Sequence, residues 1–550
     1  MNRCILYVVL CMLWAATTRG ERPLHERIDA AVESRQAIRV MDTASDAEFI
    51  RRIYLDLLGT VPSSTETRLF LSDVSADKRQ QWVDRIIEDP RLDQRLANVF
   101  DVMLMERTPD GQVKSAEWYQ YLYDSFAANK PYNELAREIL SASGAQDSSR
   151  PAARFYLDRA GETNRLTRDV GRMFLGMDMQ CAQCHDHPLV DSYYQRDYYG
   201  LFAFLNRSYI FTNTAKKNFF AEKSVGNVSF KSVFTEEAGE TGPHLPGDAP
   251  VAEPVLKKLD EYKIRPRTDT VSVPAFSRRE QLAMALTGGK NEAFNRNIAN
   301  RLWGLMNGRA LVMPVDLQHV DNPPLNSELM DVLQQGMVEL GFDVKAYLRQ
   351  IALSKTYQRG YQLDIPAKLS LSEIQSRIDL IVTECEQREG EVDVAREAWE
   401  QLRQKVLDHN TKWAEPRAAY IKADTAATAQ LDKYLKQDGD RITASESIAV
   451  RTPKRDALAV AHAEISNALK TLPEEKSLQD AAATFKKKLD ALNAELTKLE
   501  DTRTKAEANA TAELEKLTPL QTALDEAWKV WEPGKKESQL IAIDEQNARN

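Results

Sequence analysis

Residues 363–550 carry an apolar repeat that restricts their fold more tightly than any other feature of the chain. Apolar positions alternate at spacings of four and three from Ile374 to Trp413, and a second series runs from Phe485 to Trp531. Sustained four-three spacing with charged flanks is typical of coiled coils, in which each helix must bury its apolar seam against a partner. The sequence therefore predicts an extended coiled coil over this region.

The pairing of the two seams has two solutions, within one chain or between chains. Gly439, between two Asp residues, is predicted as the reversal point of an antiparallel hairpin, and Pro519 is expected to kink the second helix. Cys385 falls at a seam position and is interpreted as a small core residue, and His409 as a polar residue that sets the register. Self-association through the coiled coil is the alternative to an intrachain hairpin.

The region before the coiled coil shows helical periodicity of a globular kind. Within 45–140, Phe49, Ile53 and Leu57 lie on one helical face, and Pro62 follows the end of that helix. Similar amphipathic segments recur up to about 205 and again from 276. A further helix is predicted from about Glu162 to Met179. The expected fold class is therefore mainly α.

A change of character after residue 205 divides the globular part. The helical period fades, and Val225–Phe230 with Val233–Phe234 resemble a short β-hairpin, followed by a Gly- and Pro-rich loop. The predicted organisation is a signal peptide, a helical domain, a small β-containing connector, a second helical domain and a coiled coil, at residues 1–20, 21–205, 206–275, 276–362 and 363–550.

The first 20 residues have the pattern of a secretory signal. A basic start is followed by the apolar run Cys4–Ala16 and by small residues before Glu21. The run is short for a membrane span, although an uncleaved N-terminal anchor is an alternative. No later segment is apolar enough to span, so the expected location is the periplasm, the cell envelope or the exterior, with the mature chain beginning near Glu21.

The overall charge excludes one class of partner. The 550 residues carry a formal net charge of −9. A nucleic-acid-binding protein would need a basic face, so no nucleic-acid partner is expected. A redox partner or another cell-envelope protein fits an exported acidic chain.

The cysteines retained after signal cleavage carry the clearest chemistry. Cys181, Cys184 and Cys385 remain, and the first two open the sequence Cys-Ala-Gln-Cys-His, ending at His185. This spacing fits the attachment sequence of c-type haem. Two thiols one turn apart can add to the two vinyl groups of haem, while the adjacent imidazole reaches the iron. Attachment occurs outside the bacterial cytoplasm, so the signal peptide and the motif support each other.

Several further segments, in the same order along the chain, resemble one family. Four segments resemble the planctomycete secreted cytochrome-like domain of the second type, PSCyt: Arg51–Pro62, Phe174–Gly176, Cys181–Pro188 and Asp197–Gly200. Four later segments resemble the partner domain, PSD of the first type: Asn300–Gly304, Pro314–Asp316, Asn322–Pro324 and Ser354–Gln358. The resemblance implies secretion and a haem-type motif, and it implies no established reaction.

Other chemistries remain open for the motif. Cys181, Cys184, His185 and His187 are apt zinc ligands, although four ligands within seven residues would be cramped. A thioredoxin-like redox pair would expect a βαβ setting, and a structural disulfide or free thiols are the remaining alternatives. The prediction is one covalent haem c at Cys181 and Cys184 with His185 as proximal ligand, and zinc as the alternative.

The second axial position of such a haem is not fixed by the motif. His187 is too close to His185 in sequence to reach the opposite face of the same haem, but it could serve another metal. His244 in the Gly- and Pro-rich loop could fold over the site, and His319 would bring the second helical domain to it. An open position would favour small-ligand chemistry over electron transfer.

Three functions follow from these alternatives. The first is redox chemistry or electron transfer through one haem. The second is a structural or scaffolding role in the cell envelope, with the Cys/His site as a metal-held staple. The third, a part in extracellular polysaccharide breakdown, is suggested only by the usual setting of the resembled family. Whether the protein is an enzyme is left open, because the sequence shows no nucleophilic triad, phosphate loop or dinucleotide fingerprint.

Overall fold

A computed structural model describes residues 22–34, 41–188, 190, 192–234, 238–360 and 371–549. The predicted signal peptide and the expected start at Glu21 lie outside the described residues. The chain divides into two compact units, and neither is a continuous stretch of sequence. Unit 1 consists of residues up to 210, 227–246 and 278–384, and unit 2 of 211–226, 247–277 and 385 onward.

Unit 1 is helical. The first of its two helical segments contains α1 to α10, at Leu24–Glu33, Asp46–Ile53, Ser64–Ser72, Lys78–Ile87, Pro90–Met105, Ser115–Ala127, Tyr132–Ser141, Arg154–Leu157, Thr163–Val170 and Gln195–Leu205. Helices α2 and α9 each continue into one π-helical turn, Tyr54–Leu58 and Gly171–Leu175. The second segment contains α11 to α14, at Arg278–Thr287, Glu292–Asn307, Ser327–Glu339 and Val344–Leu353.

The two helical segments of unit 1 pack as one body. Helix α1 lies against α13 and α14, α7 against α11, and the π-helical turn after α9 against α12. Their apolar faces form a shared core in which Tyr132 of the first segment stacks on Phe294 of the second, with ring centroids 5.2 Å apart. Burial of such faces is the main stabilising contribution to a helical fold.

Polar contacts of residues 355–357 also join the two helical segments of unit 1. The Asp29 carboxylate accepts the backbone N–H groups of Lys355 and Thr356 at 2.9 and 2.8 Å. The Tyr357 hydroxyl donates to Asp56 Oδ2 at 2.7 Å. These hydrogen bonds therefore link the two helical segments, although the connector separates them in the sequence.

Unit 2 is built on a long antiparallel helical hairpin. Helix α15 spans Leu371–Thr471 and α16 spans Lys476–Arg549, although α15 before residue 385 belongs to unit 1. Gln430 donates to the Glu513 carbonyl at 2.9 Å, and Arg451 pairs with Glu495 at 2.7 Å, so the helices run in opposite directions. The mainly α fold and the coiled-coil pairing are as predicted, and the pairing is intrachain.

Two details of the coiled-coil prediction are wrong. The chain reverses at 472–475, and Gly439 lies inside α15. A glycine costs a helix interior only about 1 kcal/mol. Helix α15 also contains Pro416 and Pro453, so neither residue type ends it alone, and Pro473 lies in the reversal itself. Cys385 is exposed and is not a core residue. His409 is buried, and its Nε2 lies 2.8 Å from the Gly534 carbonyl.

The connector forms three two-stranded sheets. Strands β1 to β6 are Ser208–Thr212, Asn218–Glu222, Val228–Lys231, Ala238–Thr241, Tyr262–Ile264 and Val273–Pro274, paired consecutively. The β3 strand pairs with β4, whereas Val233 and Phe234 lie in the turn between them, so the predicted strand at these two residues is wrong. Within the described ranges, no helix has the length and apolarity needed to cross a membrane.

Candidate functional site

The chain reaches the cysteine motif through a sharp break after α9. The π-helical turn ends at Gly176, whose φ of +68° is left-handed, and an added Cβ there would lie 2.5 Å from Gln318 Nε2. The Asp178 N–H then donates to the Asp316 carbonyl at 2.8 Å, and Gln318 N–H to Gly176 at 2.9 Å. The predicted helix from Glu162 to Met179 is confirmed as far as Leu175 and ends four residues early, because the chain after it pairs with the second helical segment.

The motif itself begins in a short 3-10 turn. Residues Gln180–Gln183 form the turn, and the Cys184 N–H donates to the Cys181 carbonyl at 3.3 Å. Ala182 is buried, whereas Cys181 and Cys184 are exposed and form no disulfide. Both thiols therefore remain available on the solvent side of one turn.

His185 has a defined orientation. Its Nδ1 lies 2.6 Å from the Asp186 backbone oxygen, which can only accept a hydrogen bond. Nδ1 therefore carries the proton, and in the neutral ring the lone pair is on Nε2. Among the described residues the ring has no other hydrogen bond, and the Phe234 ring lies 4.5 Å from it between centroids. Metal-binding histidines are commonly oriented by such a carbonyl.

A second group of rings lies beside the motif. His187 and His319 each contact the edge or face of the buried Tyr193 ring, with centroids 5.8 and 5.6 Å from it. The Tyr193 hydroxyl donates to the Gln318 carbonyl at 2.9 Å. Burial, followed by the neighbouring His319 and His185 imidazoles, lowers the pKa of His187. The fold thus brings His185, His187 and His319 close to one another.

His244 has a different environment. Its ring is buried, with Nε2 3.3 Å from Asp197 Oδ1 and Nδ1 3.0 Å from the Gly242 carbonyl. It lies directly over Gly200, where an added Cβ would be 2.3 Å from the ring. Its role as an axial ligand stays a prediction, and its hydrogen bonds in this structure are to other groups.

The two predicted cofactors make different demands on these residues. In the part of the chain that the structure describes, no group of three or more His, Cys, Asp or Glu side chains is arranged to hold a metal ion. Haem attachment needs two accessible thiols and an adjacent imidazole with Nε2 available. Cys181, Cys184 and His185 meet those needs, so the residues present fit a c-type haem.

Several residues that shape the site carry no signal in the sequence. Asp186 accepts the Gln195 N–H at 2.8 Å at the start of α10. Tyr199 donates to the Gln183 carbonyl at 3.1 Å. The only sequence feature of this region is the density of aromatic residues between Tyr193 and Phe204.

Comparisons with known proteins define the chain as one with two successive domains of unknown function. Residues 24–209 match the family model PSCyt2, described as a protein of unknown function (DUF1549), and residues 278–380 match PSD1, described as a protein of unknown function (DUF1553). The chain carries a PSCyt2 domain followed by a PSD1 domain, as the resemblance predicted. No curated protein and no solved structure matches it.

Proposed function

We propose that this protein is an exported c-type-cytochrome-like protein that carries one haem on Cys181 and Cys184. His185 is the proximal ligand, and the function is redox chemistry or electron transfer. Each thiol would add across one vinyl group of the haem, forming a C–S bond and transferring the thiol hydrogen to the vinyl carbon. When bound, the haem would supply the one-electron chemistry.

The orientation of His185 is the observation that carries this proposal. Its Nδ1–H donates a hydrogen bond to the Asp186 carbonyl, so Nε2 is the atom available to a metal. Two exposed thiols precede it within one turn.

The surroundings of the motif also suit a flat apolar group. Val233 and Phe234 are 63% and 74% exposed, although both are large apolar side chains. The Phe234 ring lies against His185, and the Val233 N–H donates to the Cys184 carbonyl at 3.0 Å. Apolar surface of this kind is stabilised when a ligand covers it.

The mass of the denatured protein tests the proposal. The full chain is produced in a host with haem-attachment machinery, and its mass should exceed that of the processed polypeptide by one complete haem. Cys181→Ala or Cys184→Ala should leave at most one thioether, whereas Cys385→Ala, at the third cysteine, should leave the mass increase unchanged. A wild-type mass equal to that of the bare polypeptide would refute haem attachment.

Export is part of the same proposal, because attachment takes place outside the cytoplasm. The mature chain should begin near Glu21 and be recovered from the periplasm, cell envelope or medium. N-terminal sequencing of the native protein tests this. An intact Met1 on cytoplasmic material would contradict export and remove a main support of the haem assignment.

A scaffolding function is the second candidate, and the coiled coil favours it. At about 1.5 Å per residue, α15 is roughly 150 Å long and α16 roughly 110 Å. Rods of this length are suited to organising partners. In that case the motif would bind zinc reversibly, and metal analysis would find stoichiometric zinc that is lost on denaturation, with no visible absorption.

A further inference from the structure

The turn between β3 and β4 reaches the cysteine motif. The two strands pair in register, with Val228 opposite Thr241 and Lys231 opposite Ala238. After β3 the chain contacts the motif, where the Val233 N–H donates to the Cys184 carbonyl at 3.0 Å. Val233 of this hairpin, whose described residues are 228–234 and 238–241, therefore lies beside the attachment loop, which we define as residues 180–186.

Helix α10 holds the other side of that loop. The Gln183 carbonyl accepts two side-chain hydrogen bonds, from the Tyr199 hydroxyl at 3.1 Å and from Gln195 Nε2 at 3.3 Å. Gln195 Nε2 also lies 3.3 Å from the Lys231 carbonyl of β3. The last carbonyls of a 3-10 turn have no partner within it, so these external donors determine where the turn ends.

The hairpin and α10 are joined to each other as well. The Tyr199 and Phe230 rings stack nearly parallel, with centroids 4.9 Å apart. At the end of β4, His244 lies over Gly200 of α10 and contacts Asp197 at 3.3 Å and Thr241 Oγ1 at 3.1 Å. Only glycine leaves room for the ring at position 200. The loop is thus held between two elements that are fixed to each other.

We infer that the hairpin and Tyr199 set the conformation of the attachment loop, and that Phe234 forms one wall of the prosthetic-group site. Tyr199 is a positioning residue, because it acts through the Gln183 carbonyl. The part concerning Phe234 rests on the proposed function, whereas the part concerning Tyr199 does not. The ligand class is a planar, largely apolar group that covers the exposed Phe234 ring.

The role of Tyr199 can be tested without haem. The full chain is prepared in a host without haem-attachment machinery, and hydrogen exchange is followed by mass spectrometry in a peptide covering 180–186. Tyr199→Phe removes one hydrogen bond and keeps the ring on Phe230. Exchange in that peptide should accelerate about fivefold, the factor that corresponds to one neutral hydrogen bond of about 1 kcal/mol.

Tyr156→Phe is the matched control for that experiment. Its hydroxyl also donates to a backbone carbonyl, that of Leu140 at 2.8 Å, but not to the attachment loop. Exchange in the 180–186 peptide should match the wild type. Equal exchange in the Tyr199→Phe variant and the wild type would overturn the positioning role.

The role of Phe234 is tested on the haem-loaded protein. Phe234→Ala should lower the reduction potential, because water then reaches the group and favours the more highly charged oxidised state. Val74→Ala, which truncates another exposed apolar residue (97% exposed), should leave the potential unchanged. An unchanged potential in Phe234→Ala would overturn this part. A wild type without haem would refute the proposed function and the Phe234 wall together, and the exchange experiment would still decide on Tyr199.

Discussion

The His185 Nδ1 atom lies 2.6 Å from the backbone oxygen of Asp186. Asp186 is held in turn, because its side-chain oxygen accepts the Gln195 N–H at the start of α10. The direction of the imidazole is therefore set by a helix outside the motif, not by the five motif residues alone. This explains how an exposed loop can present one particular nitrogen.

Removal of the His185 imidazole should distinguish the covalent attachment of haem from the axial ligation of its iron. In a host with haem-attachment machinery, His185→Ala is expected to reduce the yield of haem-loaded protein and to alter the visible spectrum of what remains. His462→Ala, in the coiled-coil hairpin, is the control and should change neither. An unaltered spectrum of His185→Ala would show that this histidine is not the proximal ligand.

The contact of Asp29 with the second helical segment should stabilise the whole of unit 1. Asp29→Ala leaves the N–H groups of Lys355 and Thr356 without this acceptor and should cost about 2 kcal/mol. Asp29→Asn keeps one acceptor oxygen and should cost less. Urea unfolding followed by tryptophan fluorescence measures both, and a cooperatively folded fragment 22–210 would contradict the interdependence of the segments.

The stability of the α3 start should depend on pH. Burial alone would raise the pKa of Glu66, but hydrogen bonds from Ser63, Arg91 and Tyr54 outweigh it and lower this pKa to about 2. The folded state then binds fewer protons than the unfolded one, so the stabilisation is present above about pH 4.5 and is lost as the pH falls toward 2.

Glu66→Gln isolates that carboxylate charge. The variant should lose about 1 kcal/mol at pH 7, and the difference from the wild type should vanish near pH 2. Glu117→Gln, in the first turn of α6, is exposed and should differ from the wild type by less than about 0.5 kcal/mol. Urea unfolding at pH 3, 5 and 7 measures the trend; a pH-independent Glu66→Gln effect would contradict it.

Two helical glycines should respond oppositely to alanine. An added Cβ at Gly534 would lie 2.5 Å from Trp413, whereas Gly439 has open space. Gly439→Ala should stabilise the hairpin by up to about 1 kcal/mol through helix propensity. Gly534→Ala should destabilise it by about 1–2 kcal/mol, because the ring must move. Thermal unfolding followed by circular dichroism tests the contrast, and a stabilised Gly534→Ala variant would contradict it.

Lys258 should be essential to unit 2. Its buried ammonium group contacts Asp424 at 2.6 Å, Glu261 at 3.0 Å and the Thr428 hydroxyl at 2.9 Å. Lys258→Ala leaves two carboxylates without their cation and should cost about 3 kcal/mol. Lys263→Ala, at an exposed position, should cost less than about 0.5 kcal/mol. Thermal unfolding of both full-length variants makes the comparison, and equal melting temperatures would argue against the role of Lys258.

The helical content and the coiled coil could be predicted because their signal is local. Periodicity along 374–413 reports the face of one helix whatever the rest of the chain does. The reversal point could not be placed in this way, since Gly439 is tolerated inside a helix and the register depends on contacts such as Gln430 with Glu513.

The same distinction between local signals and long-range contacts applies to the candidate site. Cys181, Cys184 and His185 are recognised by their spacing within five residues. The contacts with that loop come from α10, through Gln195 and Tyr199, and from the turn after β3, through Phe234, and no spacing in the sequence encodes them. The proximity of His319 to Tyr193 likewise depends on the pairing of residues 176–178 with 316–318.

The chain passes between its two units five times, after residues 210, 226, 246, 277 and 384. No contiguous piece of the gene therefore encodes either unit. A single recombination event could not deliver the coiled-coil rod to another protein as an intact cassette, since the rod would arrive without the connector residues that carry Lys258. Insertions and deletions in the connector would alter both units, because the connector contributes residues to each of them.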